Sequence, residues 1–436
     1  MHPSAPHLPR REGRPDCKFL HAADLHLDSP LRGLAAEQDS PIQALRGATR
    51  RAFENLVDLA LQEEVDFVLL AGDLYDGSWQ DLSTGIFLAR QLGRLGEHAI
   101  RVFAVVGNHD AESRITKALE KPQNLTLFPA DLPHTVVLPE LGVALHGQSY
   151  RQQHVLDNLA AGFPAALPGL CNIGLLHTSL DGREGHAPYA PCKLDELRSR
   201  GYQYWALGHV HQSEVVCEDP FVVFPGCLQG RHIRESGPKG CYLVTASENA
   251  ITSLDWYPLD VVRWSLCRVN LGRSATLADV VTEVREALSQ TLIQASGRIL
   301  AVRILLEGNS PIHAELQGKL YWLQHALTEV AAELASEELW IEKVVAATTD
   351  LVEHQAILAS EGAFGGLLQN IRDLPETLEA LPGLSDTLAS LRNKLPPEVM
   401  TAERGFDLED PEVLARLISE AKELLLTKLL EPGAGV

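Results

Sequence analysis

The sequence predicts an α/β protein: a layered domain of sheets covered by helices, then a small α/β unit, then a helical C-terminal region. Three observations carry this expectation. From Lys18 to about Val244, short apolar runs alternate with amphipathic stretches, and Phe67 to Ala71, Val102 to Val106, Ile173 to Leu176 and Trp205 to Leu207 read as buried strands. Residues 41–64 read as a helix, with Leu45, Ala48, Ala52, Leu56 and Leu59 at helical spacing and Pro41 early, where proline is tolerated. From about Asp255 to Asp350 the order becomes β-α-β-α-β, with strands around 262–269, 299–306 and 339–345 and helices near 277–294 and 312–334.

Residues 351–436 are Leu-rich and acidic and lack strand-like alternation. Pro375, Pro382, Pro396, Pro397 and Pro411 divide them into short helices, the longest from Pro411 to Leu430 after Asp410. The expected organisation is a disordered basic tail at 1–17, a main domain at 18–250, a capping α/β domain at 255–350 and a helical region at 351–436 that binds a partner.

A chain of 436 residues is too long for one core, so two or three domains are expected. Hydrophobic residues at 45% and charged residues at 22% fit a globular protein. No apolar run approaches the ~18 residues of a membrane span, so no membrane association is expected. The first 17 residues hold Arg10, Arg11 and Arg14 without an apolar stretch, which speaks against a secretory signal and for a basic tail or a misplaced start. The seven cysteines include no C-x-x-C pair, which favours a reducing, cytoplasmic setting over a disulfide framework or zinc knuckle. The net charge of −21 argues against coating nucleic acid by bulk attraction. Residues from 301 onward carry 10 Lys and Arg against 23 Asp and Glu. A nucleic-acid surface therefore has to be local and to lie in the first part of the chain.

Four motifs follow apolar runs in order: Asp24-Leu25-His26, Gly72-Asp73-Leu74-Tyr75-Asp76, Gly107-Asn108-His109-Asp110 and Gly208-His209-Val210-His211. His177 closes the run Gly174-Leu175-Leu176-His177. Taken singly, each has an ordinary structural reading as a turn, a helix cap or a surface histidine. Together they bring carboxylates, an amide and imidazoles to one sheet edge, where ligand sites of such folds lie. That donor set suits two divalent ions sharing a hydroxide and a phosphate, with a carboxylate between them. It fits manganese or iron better than thiolate-rich zinc. Asp24 and His26, two apart, are expected on a strand with both side chains on one face.

This series resembles the calcineurin-like metallophosphoesterase superfamily, and more narrowly the SbcD type of DNA-repair exonuclease subunit in its YhaO-like branch. The match covers roughly residues 18–245. The stretches Leu176 to Gly182, Gly185 to Tyr189, and Phe224 to Glu235 with Gly237 to Gly240 resemble that branch in particular. The resemblance implies a β-sandwich flanked by helices. It implies one metal on Asp24, His26, Asp73 and His211, and a second on Asp73, Asn108, His177 and His209, with Asp73 bridging. The ions are expected to be Mn2+, with Fe2+ or Mg2+ as alternatives. His109 is implied as general acid, a role suited to a pKa near working pH; partnership with Asp76 or Asp110 is its structural alternative. Well-studied members carry a histidine three residues after the bridging aspartate, where this chain has Asp76, the pattern shared with phosphatases.

Arg231, His232, Arg234 and Lys239 form the best local positive cluster, with His186 in a Gly-rich loop as a further substrate contact. His21 reads as a packed histidine, and Cys227 and Cys241 as buried. The expected partners are DNA, a coiled-coil SbcC-like ATPase docked through the C-terminal helices, and a second copy of the chain. The expected function is metal-dependent DNA hydrolysis in repair or recombination. The alternatives are a phosphoesterase on a non-DNA substrate and a mainly architectural subunit of the ATPase complex.

Overall fold

A computed structural model of the chain describes residues 17–29, 47–76, 82–111, 122–180, 189–335, 338–350, 363–375, 388 and 411–430. Two compact units are present: Met1–Arg268 with Glu283–Leu305 and Gln324–Val345, and Val269–Thr282 with Leu306–Leu323 and Ala346–Val436. In chain order the strands are β1 (Cys17–Ala22), β2 (Phe67–Ala71), β3 (Arg101–Val105), β4 (Leu125–Leu127), β5 (His134–Leu138), β6 (Val143–Gln148), β7 (Cys171–His177) and β8 (Tyr204–Gly208), then β9 (Glu214–Glu218), β10 (Phe221–Phe224), β11 (Gly240–Ser247), β12 (Ala250–Pro258), β13 (Val262–Asn270), β14 (Ile299–Ser310) and β15 (Leu339–Asp350). The helices are α1 (Ala48–Gln62), α2 (Leu82–Glu97), α3 (Leu194–Arg198), α4 (Leu277–Ala295), α5 (His313–Ala335), α6 (Ala363–Arg372) and α7 (Pro411–Leu430).

Two six-stranded sheets, in the orders β12-β11-β1-β2-β3-β4 and β5-β6-β7-β8-β10-β9, make the sandwich. Alternation along the strands sends Phe19, Phe67, Phe103, Ile173, Leu175, Tyr204 and Ala206 into one cluster between the sheets. The opposite face of the first sheet places Leu20, Val68, Leu70 and Val102 with Phe53 and Leu56 of α1 and Leu88 and Leu92 of α2. Central strands covered on both faces are apolar throughout, which is why Phe67 to Ala71 is a continuous run. Phe67 is fully buried, and truncating it to alanine is expected to cost ~3–5 kcal/mol.

The four strands read from the main domain are present as β2, β3, β7 and β8, each within one or two residues of the expected ends. The helix expected over 41–64 is described over Ala48–Gln62, and residues 41–46 lie outside the described residues. It ends because Glu64 turns left-handed at φ 49°. The β-α-β-α-β series is observed as β13, α4, β14, α5 and β15, and the three strands form one sheet in that order. In the C-terminal region, Leu429 of α7 packs on Leu368 and Ile371 of α6. No described helix is long and apolar enough to cross a membrane.

Candidate metal centre

Strands β1, β2 and β3 are parallel in one sheet, and β6, β7, β8 and β10 are parallel in the other. Asp24 and His26 follow β1, Asp73 and Asp76 follow β2, and Asn108 and His109 follow β3. His177 ends β7, while His209 and His211 follow β8.

The expectation that Asp24 and His26 lie on a strand is corrected. β1 stops at Ala22, and both residues take left-handed backbone, at φ 51° and 41°. Asp73 at φ 52° and His209 at φ 104° do the same. Such conformations cost ~1–3 kcal/mol each and persist only where surrounding structure holds them. Here the loops hold one another: Asp24 N donates to Gly72 O, His26 N to Asp73 O and Leu27 N to Leu74 O, each at 3.0 Å. The motif glycines have a related cause. A Cβ at Gly107 would lie 2.2 Å from Asp73 Oδ1, and one at Gly208 1.9 Å from Ala71 O.

The side chains converge. Donor atoms of Asp24, His26 and His211 lie within 4.8 Å of one another, as do those of His26, Asp73 and His109 and those of Asp24, Asp73 and His177. Asp73 Oδ2 is 3.4 Å from His177 Nε2 and 3.9 Å from His26 Nε2. Asn108 Oδ1 is 3.0 Å from His177 Nε2. His209 belongs to none of these clusters. Its ring lies 5.2 Å from that of His177, and its backbone N–H donates to Asp24 Oδ2 at 3.0 Å.

The donor set fits a divalent ion on a hydrogen-bonding argument. The Ala71 carbonyl can only accept, so His177 Nδ1, 2.8 Å away, must donate to it. His177 Nε2 then faces two acceptors, Asp73 Oδ2 and Asn108 Oδ1. A proton or a metal ion can satisfy that position, and metal binding at imidazole displaces the proton. For the proton, burial opposes the charge on His177, but Asp73 outweighs it and brings the pKa up to about 9. Burial also works against ionised Asp73, and His177 followed by His26 overcomes it, holding the carboxylate well below its usual range. His26 is pushed down by burial and then by Arg231, so it stays neutral, as a metal ligand must.

His109 Nδ1 lies 3.0 Å from Asp76 Oδ1, whose other oxygen accepts from Ser29 Oγ at 2.7 Å. The ring is about one-third exposed. Burial lowers its proton affinity, but the hydrogen bond to Asp76 and the charge of Asp73 raise the pKa above the ordinary value. Asp110 instead accepts from the backbone N–H groups of Leu74, Tyr75 and Gly107. His109 is therefore the partner of Asp76 rather than of Asp110.

The residues of the basic cluster differ in exposure and pairing. The guanidinium of Arg231 turns onto Glu235, with Nη2 2.8 Å from Oε1. Lys239 is buried, and its Nζ donates to His211 O at 3.2 Å. His232 is half-buried and Arg234 exposed; His186 lies outside the described residues. Sequence reasoning missed Glu235, which accepts from His211 Nδ1 at 2.7 Å. The available signal was one acid directly after the basic run Arg231-His232-Ile233-Arg234. His21 is packed as read, with Nδ1 2.9 Å from Tyr204 Oη, and Cys227 and Cys241 are fully buried.

Residues 17–213 match the family described as calcineurin-like phosphoesterase, and residues 264–349 match the middle domain of metallophosphoesterase YhaO. A protein of Bacillus subtilis (strain 168), described as an uncharacterized metallophosphoesterase YhaO, is 34% identical over 84% of this chain and 90% of its own length. The DNA double-strand break repair protein Mre11 of Saccharolobus solfataricus is 27% identical over 53% of this chain and 61% of that protein. Among solved structures, a dimetal phosphatase from Danio rerio aligns at TM-score 0.34 and 13% identity, covering 54% of this chain and 94% of that one. With the identity to the YhaO protein extending over nearly its whole length, the chain belongs to the YhaO-like calcineurin-like metallophosphoesterases.

Proposed function

We propose that this metal-dependent phosphoester hydrolase cuts phosphodiester bonds of DNA in repair or recombination. The observation that carries the reading is the convergence, at one edge of the sandwich, of Asp24, His26, Asp73, Asn108, His177 and His211, with His209 beside them. In this reading Asp24, His26, Asp73 and His211 hold one ion, and Asp73, Asn108, His177 and His209 hold the other. The absence of thiolate from the donor set favours manganese, with iron or magnesium as alternatives.

When bound, the two ions supply the positive field for the phosphate and a hydroxide nucleophile. His109 is the general acid: Asp76 accepts a hydrogen bond from Nδ1 and fixes the ring, and its carboxylate favours the protonated imidazole, whose Nε2 proton would go to the leaving oxygen. Arg234, which is exposed, is the phosphate contact of choice in the loop after β10, with His232 beside it, because Arg231 is committed to Glu235 at 2.8 Å while His232 Nε2 stands 3.7 Å from it. DNA as substrate is supported by the likeness to the Mre11 proteins, and a coiled-coil ATPase as partner by the resemblance to SbcD-type subunits. Leu367 of α6 and Leu425 of α7 are each 46% exposed and are candidates for that contact. Asp76, where well-studied nucleases carry histidine, favours a second reading in which a non-DNA phosphoester is cleaved at the same centre.

The test is manganese-dependent degradation of end-labelled linear DNA by the purified chain, with a generic phosphodiester alongside. DNA cleavage lost in Asp73→Ala and His109→Ala supports the proposal. Cleavage of the generic ester alone favours the second reading.

A further inference from the structure

We propose that Glu235 is a positioning residue that fixes the tautomer and orientation of His211 as a ligand of one ion only. The inference rests on the metal-centre reading above and deepens it. Glu235 lies on the short turn Ile233–Glu235 and is 5% exposed. A buried carboxylate needs compensating donors, and Glu235 has them: His211 Nδ1 at 2.7 Å and Arg231 Nη2 at 2.8 Å on Oε1, and Arg231 N at 2.7 Å and Nε at 3.3 Å on Oε2.

Two partners compete for His211 Nδ1. Arg231 Nη2, 3.3 Å away, can only donate, while the carboxylate at 2.7 Å can only accept. The shorter, charge-assisted contact decides, so Nδ1 carries a proton and donates it to Glu235. The lone pair is then on Nε2, which lies 3.3 Å from His26 Nε2 and 3.9 Å from Asp24 Oδ1. Arg231 has the complementary task of anchoring the carboxylate. The turn itself is held firmly: Trp264 Nε1 donates to Gly230 O at 2.9 Å, and a Cβ at Gly230 would lie 2.6 Å from Glu235 O.

The arrangement differs from that of His177, whose Nδ1 is oriented by the neutral Ala71 carbonyl. A carboxylate on the far nitrogen makes imidazole a more basic ligand. Losing it should weaken the ion on His211 and spare the ion on His177, which a purely structural ion pair would not do.

The experiment titrates Mn2+ into the full chain by calorimetry and follows the loading by electron paramagnetic resonance, for the wild type, Glu235→Ala and Glu235→Gln. Metal-free melting temperatures are recorded alongside. The wild type is expected to bind two ions with the spectrum of a coupled pair. Glu235→Ala should lose about 10–100-fold in affinity for one ion, keep the other, and give the spectrum of an isolated ion when one equivalent is added and when the second is limiting. Glutamine still accepts from His211 Nδ1 and should lose less. If the alanine variant does not fold, the glutamine variant carries the test through a smaller loss confined to the same ion. Wild-type loading of both ions in the variants overturns the proposal, and so does equal weakening of both ions in step with a lower melting temperature. A wild type that binds no manganese removes the metal-centre reading itself, and the role of Glu235 falls with it.

Discussion

The two sheets contribute unequally to the centre. Loops of the first sheet bring the oxygen donors, Asp24, Asp73 and Asn108, together with His26 and His109. The second sheet brings imidazoles only: His177 at the end of β7, and His209 and His211 after β8. The oxygen side is held by backbone, through left-handed residues and loops that bond to one another. On the imidazole side His177 and His211 are each aimed by a hydrogen bond donated from Nδ1, to Ala71 O and to Glu235. Damage to the first side should therefore act through shape, and damage to the second through orientation and charge.

The largest effect is expected where the sides meet. Asp73 reaches His26 and His177 and accepts from His109 N at 3.0 Å. Asp73→Ala should reduce phosphodiester hydrolysis by more than the roughly 100-fold that loss of an outer partner reaches, and should weaken both ions in a manganese titration. An effect on one ion alone would mean that Asp73 is not shared. Next is His109→Gln, with an expected rate loss of roughly 10²–10⁴-fold and unchanged manganese uptake. A matching loss of uptake would make His109 a ligand instead of an acid.

Shape also governs the place where β8 of the second sheet meets β2 of the first, and two glycines test it. At Gly208 a Cβ meets backbone at 1.9 Å, whereas at Gly93 in α2 it meets nothing within 4 Å. Gly208→Ala should destabilise by about 1–3 kcal/mol or more, and Gly93→Ala should stabilise by up to about 1 kcal/mol, both by denaturant unfolding without added metal. Equal effects would contradict the close approach of the two sheets at β8.

The last effect is read against pH and lies on β1, at His21. Burial pushes the pKa of His21 from 6.5 down to about 3. The unfolded chain then takes up this proton first, so its contribution to stability is full above pH 6.5 and is lost progressively as pH falls toward 3. The slope reaches about 1.4 kcal/mol per pH unit. His21→Leu should show a shallower acid decline than the wild type between pH 6 and pH 4, and parallel curves would show that His21 is protonated in the folded chain.

Much of both sides was legible because buried parallel strands leave continuous apolar runs, and because Gly-Asp, Gly-Asn and Gly-His mark places where backbone must approach backbone. What was not legible depended on pairing. Nothing in the letters Asp24-Leu25-His26 distinguishes a strand from left-handed turns stabilised by the neighbouring loop. Arg231 read as part of a positive cluster, and its pairing with Glu235, four residues on, depends on a turn whose first residue, Gly230, accepts from Trp264 Nε1, a contact that the letters do not show. Strands β5, β9 and β12, whose residues are mostly half-buried or exposed, lack the strong apolar runs that marked β2 and β7.

The most direct test is anomalous diffraction at the manganese edge from crystals of the full chain soaked in Mn2+. Two peaks roughly 3.5–4 Å apart, flanking the Asp73 carboxylate, with His26 and His211 on one and Asn108 and His177 on the other, are the predicted result. A single peak, or two peaks with no shared contact to Asp73, would contradict a dinuclear centre built between the two sheets.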